Sequence, residues 1–221
     1  MINEDAMTLR ALFILLGLGL FASPSHAGAV QVDVLTASGQ PLSDAVVSLQ
    51  GEGGAGAPPA ATEAIMDQRD RQFDPRVLAV RTGTLVRFPN SDDIRHHVYS
   101  FSPAKRFELR LYHGTTAEPV RFDQAGKVAL GCNIHDGMLG FIYVLNAQWF
   151  GVSGAEGQVT LTGIPAGDYQ LQVQHPRLPE PLEQRVTVSS GGFQQQVVLE
   201  GLLPAPGQEE PESELERLFD R

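Results

Sequence analysis

The stretch LGCNIHDGMLG, residues 130–140, holds the only cysteine of the chain, Cys132, with His135 three residues later and Met138 six later. A thiolate and a thioether favour Cu(I), and an imidazole suits both oxidation states of copper. Taken singly, each residue has a plainer reading: an inert buried thiol, a loop histidine, a core methionine. Their conjunction carries the weight, because the chain after residue 27 contains that one cysteine and only two methionines, Met66 and Met138. Two histidines and a cysteine with a weak axial methionine are the ligand set of a blue copper electron-transfer site. The second imidazole must come from elsewhere, and NSDDIRHHVYSF, residues 90–101, offers His96 and His97 at the start of a strand. Neighbouring strand residues point to opposite faces, so one of the two reaches a shared metal unless the strand is bulged.

The compartment sharpens the meaning of the cysteine. An apolar run, LFILLGLGLF, followed by FASPSHA, has the build of an export signal over residues 1–27, with Ser25 and Ala27 before a cut at Gly28. The acidic MINED start is atypical, and Met7 is an alternative initiator. No cysteine stands at the cut, so no lipid anchor is expected. No later segment is apolar enough to enter a bilayer. These features predict a periplasmic protein without membrane insertion. One cysteine cannot form a disulfide within its own chain. An unpaired thiol in an oxidising compartment is buried, catalytic, metal-bound or paired between subunits. The net charge of −10 argues against nucleic acid as a partner.

The elements that position these groups are strands. With 23 glycines and 15 prolines, and few segments of helical period, the composition is that of an all-β chain rich in turns. Val30, Val32 and Val34 alternate with polar residues, and AVVSL follows a Ser-Gly turn, so residues 28–51 are expected as a hairpin. The Gly/Ala/Pro-rich residues 52–62 form a linker. Further strands are expected near 64–69, on either side of the Thr82-Gly83 turn, over 96–102 and 108–112, and on either side of Ala125-Gly126. The last of these delivers Cys132, on the same face as Val128 and Leu130 and therefore inward. The almost wholly apolar 139–146 follows as a strand covered on both faces. Beyond it, VTL, YQLQV, RVTVSS and QQVVLE are strands, and residues 202–221 are an acidic disordered tail. Trp149 and Phe150 are expected as core anchors, and His113 and His175 as surface or turn residues. No nucleotide loop, paired-cysteine zinc pattern or nucleophile elbow occurs.

The order FDPRVLAVRTGTLVRFPNSDD, then His96-His97-Val98, then Cys-x2-His-x2-Met resembles the cupredoxins, in particular the amicyanin-like and bacterial "methylamine utilization protein" groups. The resemblance covers roughly residues 63–146 and implies a Greek-key β-sandwich holding one type 1 copper ion. It implies His96 as the first imidazole ligand, with His97 as the alternative, Cys132 as the equatorial thiolate, His135 as the second imidazole and Met138 as the axial ligand. His97 stands where the family carries an asparagine that braces the loop. Asn133, Ile134, Asp136 and Gly137 stand where the family's loop carries prolines. The family uses the exposed edge of the loop histidine, here His135, as the electron port, with Gly137, Met138 and Leu139 as docking rim.

A second resemblance flanks the first. VQVDVLTASGQPLSDAVVSL and GAEGQVTLTGIPAGDYQLQVQHP are similar to the early and later strands of carboxypeptidase-regulatory or transthyretin-like domains, a small Ig-like sandwich. The expectation is an Ig-like domain from residues 28–51 and 147–201, with the cupredoxin domain, 63–146, inserted between. The function this implies is a periplasmic one-electron carrier, not an enzyme, whose partner is a redox protein such as a c-type cytochrome or a dehydrogenase. The alternatives are a copper-delivery protein, or an adhesion or scaffold module with a vestigial metal site.

Overall fold

The computed structural model describes residues 28–51, 62–114, 118–135 and 137–205. The expected export signal, Asp136, and most of the linker and acidic tail lie outside the described residues. Seventeen strands and no helix occur among them. In chain order they are β1 (Gly28–Thr36), β2 (Val46–Gly51), β3 (Glu63–Ile65), β4 (Asp67–Arg69), β5 (Gln72–Asp74), β6 (Val77–Arg81) and β7 (Thr84–Arg87). The next five are β8 (His96–Ser100), β9 (Phe107–Tyr112), β10 (Val120–Phe122), β11 (Gly126–Cys132) and β12 (Leu139–Leu145). The last five are β13 (Trp149–Val152), β14 (Gln158–Ile164), β15 (Gly167–Gln174), β16 (Leu182–Val188) and β17 (Phe193–Leu199).

The alternating valines of β1 do form a strand, but β1 and β2 do not pair with each other as a hairpin. Strand β1 lies in a sheet of order β14-β1-β17, and β2 in a facing sheet of order β13-β2-β15-β16. The chain changes sheet between them, through Pro41, which bridges to Leu35, and Asp44, whose φ is 65°. The physical reason is that both strands are apolar on one face. Val30, Val32 and Val34 meet Val47, Leu49, Leu171 and Val173 across one core, so the two strands bury more as opposite walls than as neighbours. Trp149 is 4% exposed in this core, its ring edge-on to Tyr169 at 5.7 Å. It belongs to a strand, β13, that the sequence offers only as an anchor.

The strands between residues 63 and 145 pair among themselves, in sheets of order β6-β12-β11-β8-β9 and β10-β7-β3 and a small β4-β5 hairpin. The two strands flanking Thr82-Gly83 also part company, β6 pairing with β12 and β7 with β10 and β3. Phe73, Phe88, Phe122, Val98, Val128, Leu130 and Ile142 fill the space between these sheets, with Cys132 and Met138 at one end.

The two sandwiches touch through a third cluster, in which Val46 of β2 packs with Val77, Tyr143, Leu145 and Ala147. Strand β12 is thus covered on both faces over its second half, while Leu139 at its start is 39% exposed. Arg76 and Asp44 pair across the junction at 2.8 Å. The backbone N–H of Gly51 donates to Gln148 Oε1 at 2.9 Å, and the Gln148 side-chain amide donates back to the Gly51 carbonyl at 3.2 Å. The chain therefore leaves one sandwich and returns to it at adjoining points.

His175, in the turn after β15, is 3% exposed instead of lying at the surface. Its Nδ1 accepts the Arg177 N–H at 3.1 Å. Burial, then Arg177, push its pKa down from 6.5 to about 4, against smaller upward contributions from Asp44 and the Ser43 backbone; Arg76 adds to the lowering. A histidine held neutral in the fold stabilises it fully above the unfolded value of about 6.5. As pH falls toward 4 the unfolded chain takes up the proton first, so stability is lost over that window, by at most roughly 3 kcal/mol. Urea midpoints of the full chain measured from pH 7 to 4 should fall more steeply than those of His175→Gln; parallel curves would remove His175 as the cause.

Candidate metal centre

Three strands and one loop assemble the site. Strand β11 pairs with β8 through Gly131↔Tyr99 and Cys132↔Val98, so Cys132 lies beside the start of β8. On β8, burial alternates strictly: His96, Val98 and Ser100 are buried, and His97 and Tyr99 are half-buried on the other face. The pairing with β9 is irregular between His96 and Val98, yet this bulge does not bring His97 inward. The His97 ring turns to Glu108, with Nε2 2.9 Å from Oε1, and sits edge-on to Tyr99 at 6.3 Å. His96 is fully buried.

His135 comes from the loop after β11 and is half-buried. The Asn133 N–H donates to the His97 carbonyl at 3.3 Å, and the Met138 N–H to the His135 carbonyl at 3.3 Å. Gly137 between them has φ 79°, the left-handed conformation that closes the loop. Met138 is 3% exposed and packs in the same core as Cys132 and Val98, consistent with a residue held at the base of the site.

The donor atoms converge. Cys132 Sγ lies 3.6 Å from His96 Nδ1 and 3.7 Å from His135 Nδ1, and the two Nδ1 atoms are 3.1 Å apart. Among the described residues this is the one group of three or more His, Cys, Asp or Glu side chains with metal-holding spacing. A point equidistant from the three atoms lies about 2.0 Å from each, against bond lengths of ~2.0–2.1 Å for metal–imidazole and ~2.3 Å for metal–thiolate. A first-row ion fits with a small outward shift of the sulfur. The donor chemistry, one thiolate and two imidazoles beside a buried thioether, matches copper better than any hard cation.

Two residues that the sequence reading passed over set the tautomer and the aim. His96 Nε2 is 2.7 Å from Asp92 Oδ2, so a proton on Nε2 is donated to the carboxylate and the Nδ1 lone pair faces the cluster. Asp92 also accepts the backbone N–H groups of Asp70 at 2.6 Å and Arg71 at 3.0 Å. Burial pushes the Asp92 carboxyl up, but the Arg71 N–H, His96 and the Asp70 N–H together hold it below its usual value. The loop that carries Asp92 is pinned by Asn90, whose amide donates to the carbonyls of Ile94 at 2.8 Å and Tyr112 at 3.0 Å. Its side-chain oxygen accepts the Asp92 N–H at 3.0 Å. The signal in the sequence was the spacing Asp92-x-x-x-His96 within NSDDIRH. Asp92→Asn keeps the size but not the charge that favours the Nε2–H tautomer, and should weaken copper binding about 10- to 100-fold. A chelator-competition titration measures this; an unchanged affinity would reduce Asp92 to a loop brace.

The rest of the expected port residues surround His135. Gly137 is exposed and Leu139 is 39% exposed, and Ile134, not anticipated, adds an apolar neighbour at 46%. His113 is exposed and stands apart from the cluster.

No protein-family model matches the chain, and no curated protein matches it. Solved structures similar to part of it are cupredoxins. A purple cupredoxin from Nitrosopumilus maritimus is 19% identical, covering 38% of this chain and all of its own, with a TM-score of 0.33. A reduced tryptophan-to-tyrosine variant of amicyanin is 21% identical over 45% of this chain and 98% of its own, with a TM-score of 0.34. An oxidised proline-to-alanine variant of amicyanin has the same identity, coverage and TM-score.

Proposed function

We propose that this chain is a type 1 copper protein that carries single electrons. The observation that carries the reading is the convergence of His96 Nδ1, Cys132 Sγ and His135 Nδ1 within 3.1–3.7 Å of one another at the end of an apolar core. Cys132 would supply the thiolate, His96 and His135 the imidazoles, and Met138 a thioether. Bound copper would supply a reversible one-electron couple between Cu(I) and Cu(II). The protein's part is to hold the donors still: strand pairing fixes Cys132 and His96, Asp92 fixes the His96 ring, and apolar packing keeps water from the thiolate. His135 is the ligand nearest solvent and serves as the electron port, with Gly137 and Leu139 as rim. The protein works outside the cytoplasm and exchanges electrons with a redox protein such as a c-type cytochrome or a dehydrogenase, through the small interface that transient encounters use. It has no catalytic reaction of its own. The copper domain, residues 63–146, is inserted in an Ig-like domain made of 28–51 and 147–201.

Copper titration of the protein from residue 28 onward tests this. The expected result is one equivalent bound, an intense visible thiolate-to-copper band, and reversible bleaching by reductant. A colourless protein that surrenders copper to a chelator within minutes would favour delivery. No binding would leave the scaffold alternative.

A further inference from the structure

The outer face of the β13-β2-β15-β16 sheet carries an ordered array of amides that the copper site does not use. Gln170, Gln172 and Gln174 share one face of β15, since Tyr169, Leu171 and Val173 point into the core. Across the pairings, Gln50 stands opposite Gln170, and Ser48 and Glu183 flank Gln172. The side chains are tied in a chain of hydrogen bonds: Gln174 donates to Gln172 Oε1 at 2.8 Å, Gln172 to Glu183 Oε1 at 2.7 Å and Gln170 to Glu183 Oε2 at 2.8 Å.

One edge of this face meets the other sandwich. Ser48, Gln50, Gln170, Gln172, Gln174 and Glu183 form one wall of a cleft of about 420 Å³. The opposite wall comes from the other sandwich, with Gly126, Val144, Leu145 and Asn146. That volume falls within the range of small-molecule sites, which favour junctions between domains. One wall is thus a planar set of amide donors and acceptors on a stiff sheet, and the other is formed by Gly126 and Asn146 over the buried Val144 and Leu145. Among the described residues no lysine or arginine lines the cleft, and its single carboxylate already accepts two amide protons.

We infer that this cleft binds an uncharged polyhydroxylated ligand, a segment of oligosaccharide. Vicinal hydroxyls both donate and accept, as do the glutamine amides facing them. An anionic ligand finds no cation there and meets Glu183. The Gln-Gln-Glu chain holds its rotamers before binding, which lowers the ordering cost that otherwise weakens such sites. The ligand stands on the sandwich junction and is independent of the copper reading.

The test is NMR of the nitrogen-labelled full chain titrated separately with maltotetraose and chitotetraose. One or both should give saturable shifts centred on Ser48, Gln50, Gln170, Gln172 and Gln174, including their side-chain amides. Gln172→Ala should weaken binding about tenfold or more, a loss of one well-placed hydrogen-bonding group. Gln50→Leu is a second variant, because its side chain has no hydrogen-bond partner among the described residues, so it should weaken binding without touching stability. Absence of shifts with both sugars, or shifts located elsewhere, overturns the inference. So does a lysine-rich peptide that produces the same shifts and loses them in Glu183→Gln, which would make the cleft a cationic-peptide site.

Discussion

Copper-loaded His97→Ala protein should keep its visible thiolate band and bind copper within a few-fold of the unmodified chain, while His96→Ala should lose the band and more than about 100-fold in affinity. The lower bound is set by the 10- to 100-fold cost of losing a mere supporting partner, which a lost ligand must exceed. The two histidines are adjacent in sequence and opposite in space. His96 has its Nδ1 3.6 Å from the thiol and its Nε2 on a carboxylate, whereas His97 is spent on Glu108 and Tyr99. Cys132→Ser provides the reference, because it removes the sulfur from which the band arises and leaves a harder, neutral oxygen in its place. Both single-histidine variants retain the strand, since neither alanine disturbs the backbone pairing of β8 with β11. If His97→Ala bleached the protein and His96→Ala did not, the assignment of faces on β8 would be reversed.

Gly157→Ala should destabilise the protein by about 3 kcal/mol or more, with little change in the spectrum of whatever copper protein remains folded. Gly157 has φ 70°, and a Cβ there would lie 2.4 Å from the Val34 carbonyl oxygen and 2.9 Å from the Leu42 nitrogen. Both obstacles are backbone, so no rotamer change relieves them. The same glycine accepts the Val34 N–H at 2.8 Å, which ties the turn before β14 to β1. Strain and overlap therefore fall on the turn that leads into β14 and its pairing with β1, out of a total stability of roughly 5–15 kcal/mol. Urea unfolding followed by far-ultraviolet circular dichroism checks it. A shift below about 1 kcal/mol would mean that the turn re-forms with the alanine accommodated.

Much of the candidate site is legible in the sequence because its signals are local. Cys132, His135 and Met138 fall within seven residues, and strand alternation alone sends Cys132 inward with Val128 and Leu130. The choice between His96 and His97 needed the pairing of β8 with both neighbours, which no local pattern encodes. Asp92 was invisible for a similar reason. An exposed-looking Asp-Asp pair in a loop is ordinary, and its role depends on the backbone of a hairpin some 20 residues earlier in the chain. In the fold, alternating valines revealed β1 and β2 but not their partners. A short turn usually implies a hairpin, yet burying two apolar faces against each other outweighs pairing along one edge. Strand β13 was missed because Trp149-Phe150-Gly151-Val152 has one residue of each size and no clear alternation. His175 lies at a turn as expected but buried, since the Ser43-Asp44 turn packs beside a His-Pro turn that would otherwise be wet.

The parallel pairing of β1 with β17 also decides how the molecule responds to tension. These are the first and last strands of the described chain, and they run side by side over seven paired positions from Val30↔Phe193 to Thr36↔Leu199. A pull on the leading end of β1 and the trailing end of β17 slides one strand along the other, so the hydrogen bonds share the load and must break together rather than unzip in turn. The loop of chain between Gly51 and Gln148 lies outside that line of force, because its two ends are fastened to each other. The sandwich that contains β1 and β17 is a mechanical clamp, and the one that carries His96, Cys132 and His135 rides on it unloaded.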